Sequence, residues 1–146
     1  MSKFMKTLNN ISRSQAIYRH NRISVSDLQS GHYAYLLTIC KNPGLSQEDV
    51  ARELCVNKST VTRNLDFLEQ NQYVLRKSLP NNKRQFSLFP TEKALTVLPK
   101  IKEASAEWMT LLSQGIKKDE LEIFHGVLRK MEEKARAILE MQGAEK

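Results

Sequence analysis

Ser46-Gln47-Glu48-Asp49-Val50-Ala51-Arg52-Glu53-Leu54-Cys55-Val56-Asn57-Lys58-Ser59-Thr60-Val61-Thr62-Arg63 begins the stretch, ending at Ser78, whose reading decides the fold. Ser46-x-x-Asp49 is a capping signature: the hydroxyl accepts an orphan backbone N–H and the carboxylate reaches back to the cap. Val50, Ala51 and Leu54 then form an apolar stripe at helical spacing, and Cys55-Val56 closes the helix. Asn57 caps a second helix that begins at Lys58. In that helix Val61, Leu65 and Leu68 share one face, while Ser59, Thr62, Arg63 and Asp66 lie opposite, with Thr60 and Phe67 on a flank. Short hydroxyls and an arginine on the exposed first turns are the side chains that bond to base edges and phosphates. A solvated surface helix would carry a similar face. Two short capped helices joined by a tight turn favour the groove-entering alternative.

The next residues extend that reading. Gln70-Asn71-Gln72 ends the second helix, and Tyr73 to Ser78 reads as a strand. Leu79-Pro80-Asn81-Asn82-Lys83 is a turn cluster, followed by a strand from Arg84 to Phe89 with Phe86 and Leu88 on one face. A hairpin appended to a helix-turn-helix is a winged helix. Residues 76–84 carry Arg76, Lys77, Lys83 and Arg84 and no acid. Such a tip suits phosphate contact and insertion of an arginine into a narrow minor groove.

Leu45-Ser46 to Val50-Ala51, Val56-Asn57-Lys58-Ser59-Thr60-Val61-Thr62-Arg63, Leu68-Glu69 and Tyr73-Val74-Leu75-Arg76 resemble the winged helix of the MarR (multiple-antibiotic-resistance regulator) family. The resemblance runs from about residue 28 to residue 130. That family's wing usually reads Asp-x-Arg, then Leu-Thr-x-x-Gly after a short strand. The matching positions here are Asn82-Lys83-Arg84 and Pro90-Thr91-Glu92-Lys93-Ala94, so the arginine and threonine are kept and the aspartate, leucine and glycine are not. The family's glycine before the tyrosine is Gln72. The resemblance implies a homodimer on double-stranded DNA whose lobe spacing is switched by a small-molecule effector, often a phenolic or aromatic acid. No ligand motif appears in the residues themselves, and no cofactor is expected.

At 146 residues, 40% hydrophobic and 27% charged, the chain suits one soluble helical domain with an assembly appendage. The net charge of +7 suits a polyanionic partner. Residues 1–100 hold 15 Lys/Arg against 7 Asp/Glu, whereas residues 101–146 hold 8 against 9. The basic excess therefore accompanies the winged helix and the N-terminal arm. Cys40 and Cys55, fifteen residues apart in apolar helical patterns, read as buried free thiols, and His20, His32 and His125 share no metal-ligand spacing. Gly-rich phosphate loops and nucleophile-elbow spacings are absent, so no enzymatic activity is expected. Nothing approaches the ~18 apolar residues of a membrane span, and Met1-Ser2-Lys3-Phe4 leads into no signal-peptide core. A bacterial or archaeal cytoplasm is the expected location.

Outside the winged helix the pattern is helical. Residues 3–21 place Phe4, Leu8, Ile11, Ala16 and Ile17 at mixed three-and-four spacing. With five basic residues and no acid in the first 26, this segment fits a mobile phosphate-touching arm, whereas the resemblance implies a dimerisation helix. Leu28 to Lys41 reads as one helix with Tyr33, Leu36, Leu37 and Cys40 as its apolar face, stopped by Asn42-Pro43-Gly44. His32, Tyr33 and Tyr35 fit either core or a ligand crevice. Thr91 caps a long helix through Gln114 with Ile101, Trp108, Leu111 and Leu112 on its buried side. Pro99 predicts a kink or a fresh start within it, and Gly115 ends it. From Lys118 to Met141, Leu121, Phe124, Leu128, Met131, Ala135 and Ile138 recur at alternating three-and-four spacing. That seam fits a second copy of the chain or packing against the first helix.

The expected fold is mainly α with a small β-hairpin wing. It combines a winged helix-turn-helix at 28–92, a helical dimerisation domain from 1–24 and 100–146, and a connector at 93–99. Ser59, Thr60, Thr62 and Arg63 are the expected base and near-phosphate readers, Arg84 the minor-groove residue, and Lys58, Arg76, Lys77 and Lys83 the backbone contacts. The competing expectation is a winged helix used only for protein contact, without sequence-specific DNA binding.

Overall fold

A computed structural model of the chain describes residues 2–25 and 27–144, with side chains described for all of these except residues 82–84 and 144. The elements are α1 (Lys3–Arg22), a 3-10 turn (Ser30–His32), α2 (Tyr33–Lys41), β1 (Leu45–Ser46), α3 (Gln47–Leu54), α4 (Lys58–Gln70), β2 (Val74–Leu79), β3 (Asn82–Pro90), α5 (Glu92–Leu112) and α6 (Lys118–Ala144). The fold is mainly helical with a small antiparallel sheet, ordered β1-β3-β2: a winged helix-turn-helix with further helices. The chain forms two compact units, Met1–Trp108 and Met109–Lys146.

In the first unit the helix-turn-helix is assembled from local signals. The Ser46 hydroxyl accepts the Asp49 N–H at 3.0 Å and the Asp49 carboxylate accepts the Ser46 N–H at 3.0 Å, a complete capping box. The Asn57 side chain accepts the Thr60 N–H at 2.9 Å and starts α4. Both helices end in one way. Cys55 sits at φ 53° while the Val56 N–H bonds back to the Ala51 carbonyl, and Gln72 sits at φ 64° while the Tyr73 N–H bonds back to the Leu68 carbonyl. These are left-handed helix terminations of the kind glycine usually makes. Gln72, which the resemblance matches to a glycine, thus takes the left-handed backbone conformation that glycine adopts at least cost.

Val50, Val61, Leu65 and Leu68 are fully buried, so the two apolar stripes meet as expected. Around them pack Leu28, Tyr33, Leu36, Ile39, Tyr73, Val74, Leu88, Ala94 and Ile101. Burying such side chains stabilises by about 1.5–3 kcal/mol each. Strand β2 pairs with β3 from Val74↔Pro90 through Ser78↔Phe86, with an irregularity between Ser78 and Leu79 at the tip. Thr91 caps α5, its hydroxyl accepting the Ala94 N–H at 3.2 Å and donating to the Gln72 carbonyl at 2.6 Å. Lys93 and Tyr73 converge on Asp27: the Tyr73 hydroxyl donates to it at 2.6 Å and the Lys93 ammonium lies 2.9 Å away. Burial, then the Asp27 carboxylate, raise the Tyr73 phenol well above its ordinary range.

Several expectations need correction. The segment from Leu28 is a 3-10 turn followed by α2, not one helix, because His32 folds back to accept the Gln29 N–H at 3.0 Å. Tyr35 and Ile39 are buried on α2, whereas Leu37 and Cys40 are only half-buried. Leu45–Ser46 forms β1, pairing with Leu88 and Ser87. A single helix, α5, runs through Pro99 without a fresh start and ends at Leu112, before Gln114. Of its expected buried side chains Ile101 is buried and Trp108 half-buried, while Leu111 and Leu112 are exposed. Cys55 is exposed because the left-handed turn places it outside the α3 stripe. His32, Tyr33 and Tyr35 take the core alternative: all three are buried, and the His32 ring stacks on Phe67 at 4.2 Å.

The second unit holds the end of the chain. Glycine 115 takes φ 79° as expected of a terminator, and α6 runs three residues beyond the predicted Met141. No described residue of α6 is buried. Among the described residues, no helix is long and apolar enough to cross a membrane.

Candidate nucleic-acid interface

The exposed face of α4 exists because its opposite face is fixed in the core. Lys58, Ser59, Thr62 and Arg63 are all exposed, and Thr60 is half-buried on the flank. The first turn is ordered by Asn57, whose side chain accepts the Ser59 hydroxyl at 2.9 Å as well as the Thr60 N–H. The Thr62 hydroxyl donates to the Lys58 carbonyl at 2.9 Å and accepts from the Gln47 amide at 2.5 Å. The Lys58 ammonium stands 3.7 Å from the Glu48 carboxylate, an exposed pair worth at most about 1 kcal/mol and readily exchanged. Asn64 ties the flank down, donating to the Thr60 carbonyl at 2.8 Å and to the Tyr35 hydroxyl at 3.4 Å.

The wing divides its basic residues differently from the sequence expectation. Arg76 was expected on phosphate, yet its guanidinium lies 2.9 Å from Asp66 and 3.8 Å from Glu69, with its side chain only 17% exposed. It braces β2 against α4. Lys77 is exposed, its ammonium 4.8 Å above the Phe89 ring. The backbone of Lys83 and Arg84 lies in β3 at the tip, while their side chains fall outside the described residues.

Between helix pair and wing, Ser46, Gln47, Glu48, Lys58, Thr62, Gln85 and Phe86 line an open cleft of about 260 Å³. Sequence reading brings Lys58 and Thr62 to this place but misses Gln47, Gln85 and the acidic anchors of Arg76. Phe86 lies on a strand, as its alternation with Leu88 predicts, and stands exposed at the cleft. The position of Gln47 directly after a capping serine was the available signal, since it puts a long amide on the first exposed turn. Titrating groups behind the face are shifted by their surroundings. Burial pushes His32 below its ordinary value and Tyr35 above its own. The Ser46 backbone N–H, ahead of its hydroxyl, holds Asp49 below the usual carboxylate range. Among the described residues, no cluster of three or more His, Cys, Asp or Glu is arranged to hold a metal.

The MarR family model matches residues 28–86. The chain is similar to the HTH-type transcriptional regulator BilQ of Clostridioides difficile, with 34% identity over 99 residues covering 68% of this chain and 67% of BilQ. It is similar as well to the HTH-type transcriptional regulator YybA of Bacillus subtilis, at 27% identity over 131 residues, 90% of this chain and 87% of YybA. Among solved structures, a Listeria monocytogenes protein assigned to the MarR family transcriptional regulators and complexed with 26mer DNA superposes with a TM-score of 0.86 at 26% identity, covering 94% of this chain and 91% of that one.

Proposed function

The chain belongs to the MarR family of transcriptional regulators, and from that membership we propose that it binds a pseudo-palindromic operator in double-stranded DNA as a homodimer, acting as a repressor in the cytoplasm. The observation that carries the reading is the face of α4: Ser59, Thr62 and Arg63 stand exposed directly opposite a stripe that is 0% exposed. A helix so fixed can enter a major groove as a rigid ridge, because none of its apolar face has to be uncovered.

In this proposal Ser59, Thr60, Thr62 and Arg63 meet base edges and nearby phosphates, and Lys58, Lys77 and Lys83 meet the backbone. Arg84 enters the minor groove. Arg76, held by Asp66 and Glu69, sets the angle of the wing and leaves phosphate to its neighbours. Residues 28–92 are the DNA-binding domain, residues 1–24 and 100–146 the dimerisation domain, and 93–99 the connector. The support for the dimer is apolar surface. On α1, Phe4, Met5, Ile11 and Ile17 are exposed and nothing is buried, and on α6 the whole three-and-four seam is unburied. One winged helix reads too few base pairs to stand out in a genome, whereas two held about 34–36 Å apart read a repeat. Release by a small aromatic acid completes the proposal, needing a coupling of about 1–3 kcal/mol between ligand and lobe spacing.

Fluorescence anisotropy on selected and scrambled duplexes at several salt concentrations tests the reading. Arg63→Ala is expected to cost about 1–3 kcal/mol and relax preference at one base position, while Lys83→Ala weakens every sequence alike and lowers the salt slope by about one. Equal weakening by Arg63→Ala on all sequences would remove Arg63 from base reading. Wild-type binding with neither preference nor salt dependence would favour a protein-contact module.

A further inference from the structure

We propose that Gln47 is a positioning residue for sequence reading, and that Thr62, held by it, recognises a thymine through its methyl group and not through its hydroxyl proton. The inference rests on the DNA-reading assignment above and deepens it to one contact.

A threonine hydroxyl has one proton to give and two lone pairs to offer. In Thr62 the proton goes to the Lys58 carbonyl, 2.9 Å away, and one lone pair takes the Gln47 amide N–H at 2.5 Å. These two bonds leave one lone pair of Oγ1 and do not involve the methyl group of this exposed side chain. Guanine presents only acceptors, N7 and O6, along the major-groove edge, so a threonine without a free proton is no partner for it. Thymine presents the C5-methyl group, which an apolar contact reads directly.

Gln47 is suited to hold that state rather than the fold. It lies on α3, fifteen residues from Thr62, so the bond joins two helices across the turn. Beneath it the same two helices are already joined by Val50, Val61 and Leu65, all fully buried. Gln47 is only half-buried, and its amide adds little to a junction that the core already makes. Its effect is on the rotamer of Thr62: with Oγ1 held from two sides, the hydroxyl proton is directed to the Lys58 carbonyl and away from a base. Glu48 and Lys58 pair along the same cleft, and Gln85 and Phe86 close it from the wing.

The test is selection from randomised duplexes by the full-length protein, followed by sequencing, with thermal melting of each variant. Thr62→Val keeps the methyl shape and is expected to retain the thymine preference. Thr62→Ser keeps the hydroxyl, loses the methyl and is expected to reduce that preference about fourfold, the worth of one buried methyl. Gln47→Ala is expected to flatten the same position and no other, with an unchanged melting temperature. The inference is overturned if Thr62→Ser preserves the preference and Thr62→Val abolishes it. It is equally overturned if Gln47→Ala weakens all sequences alike or leaves the selected motif untouched. If Gln47→Ala melts early, the two Thr62 variants decide alone. A wild-type protein that selects no motif would overturn both this inference and the DNA-reading assignment. A motif insensitive to all three changes would overturn only the inference.

Discussion

Helices α4 and α6 are built on the same periodicity and meet opposite fates. On α4, Val61, Leu65 and Leu68 are sealed at 0% exposure; on α6, Phe124, Met131 and Ile138 stand 48%, 42% and 57% exposed. Amphipathic spacing therefore specifies that a helix has something to cover, and leaves open where the cover comes from. For α4 the cover is α3, β2 and the 3-10 turn of the same chain, and its polar face is turned outward as a consequence. For α6, leaving a long apolar seam in water is costly at about 25 cal/mol per Å², and in the proposed dimer a second protomer covers it.

Matched truncations sharpen that contrast. Leu65→Ala is expected to lower the unfolding free energy by about 2–5 kcal/mol at every protein concentration, read by chemical denaturation. Ile138→Ala should instead lower the melting temperature in a manner that recovers as protein concentration rises, because it weakens association rather than the protomer. Similar, concentration-independent losses from both would break the comparison.

A smaller effect comes from acid. His32 stacks on Phe67 of α4 and accepts the Gln29 N–H, and burial lowers its folded pKa, with the Asp27 charge opposing weakly. Its neutral form belongs to the fold. The stability it lends is fully present above its usual 6.5 and is lost as pH falls from there toward the lowered folded value, by at most about 1.4 kcal/mol per pH unit. Asp27 acts later: its folded pKa is lowered, first by the Tyr73 hydrogen bond, so its contribution is present above its usual 3.8 and lost below it. Melting curves from pH 7.5 to 5.5 should therefore converge for wild type and His32→Phe. Parallel curves would show that His32 is not the group responsible.

The smallest expected effect is at the two left-handed terminations. Gln72→Gly relieves the positive-φ strain while adding freedom to the unfolded chain, so a net gain below about 1 kcal/mol is expected. A loss in thermal melting would indicate that the Gln72 side chain contributes more than the backbone strain costs.

What the sequence disclosed follows from range. Caps at Ser46, Asp49, Asn57 and Thr91 and the stripe of Val61, Leu65 and Leu68 are local signals, decided by residues three or four apart, and they were legible. The hairpin was legible because its turn cluster separates two alternating runs. The β1 pairing was not, since two residues acquire strand character only when Leu88 and Ser87 arrive from over forty positions away. The partners of Arg76 are hidden for the same reason: charge is visible in sequence, but Asp66 and Glu69 beside it are a fact of packing. Of the candidate interface, the exposed polar residues on α4 can be named from sequence, whereas the Gln47–Thr62 bond cannot.

The central claim is that two copies of one chain present two α4 ridges at a spacing matched to duplex DNA. Binding-site selection with the wild-type protein tests it most directly. The account predicts an inverted repeat whose half-site centres lie about 10–10.5 base pairs apart, or a multiple of that turn. A single unrepeated half-site, or repeats at spacings unrelated to the helical turn, would contradict it.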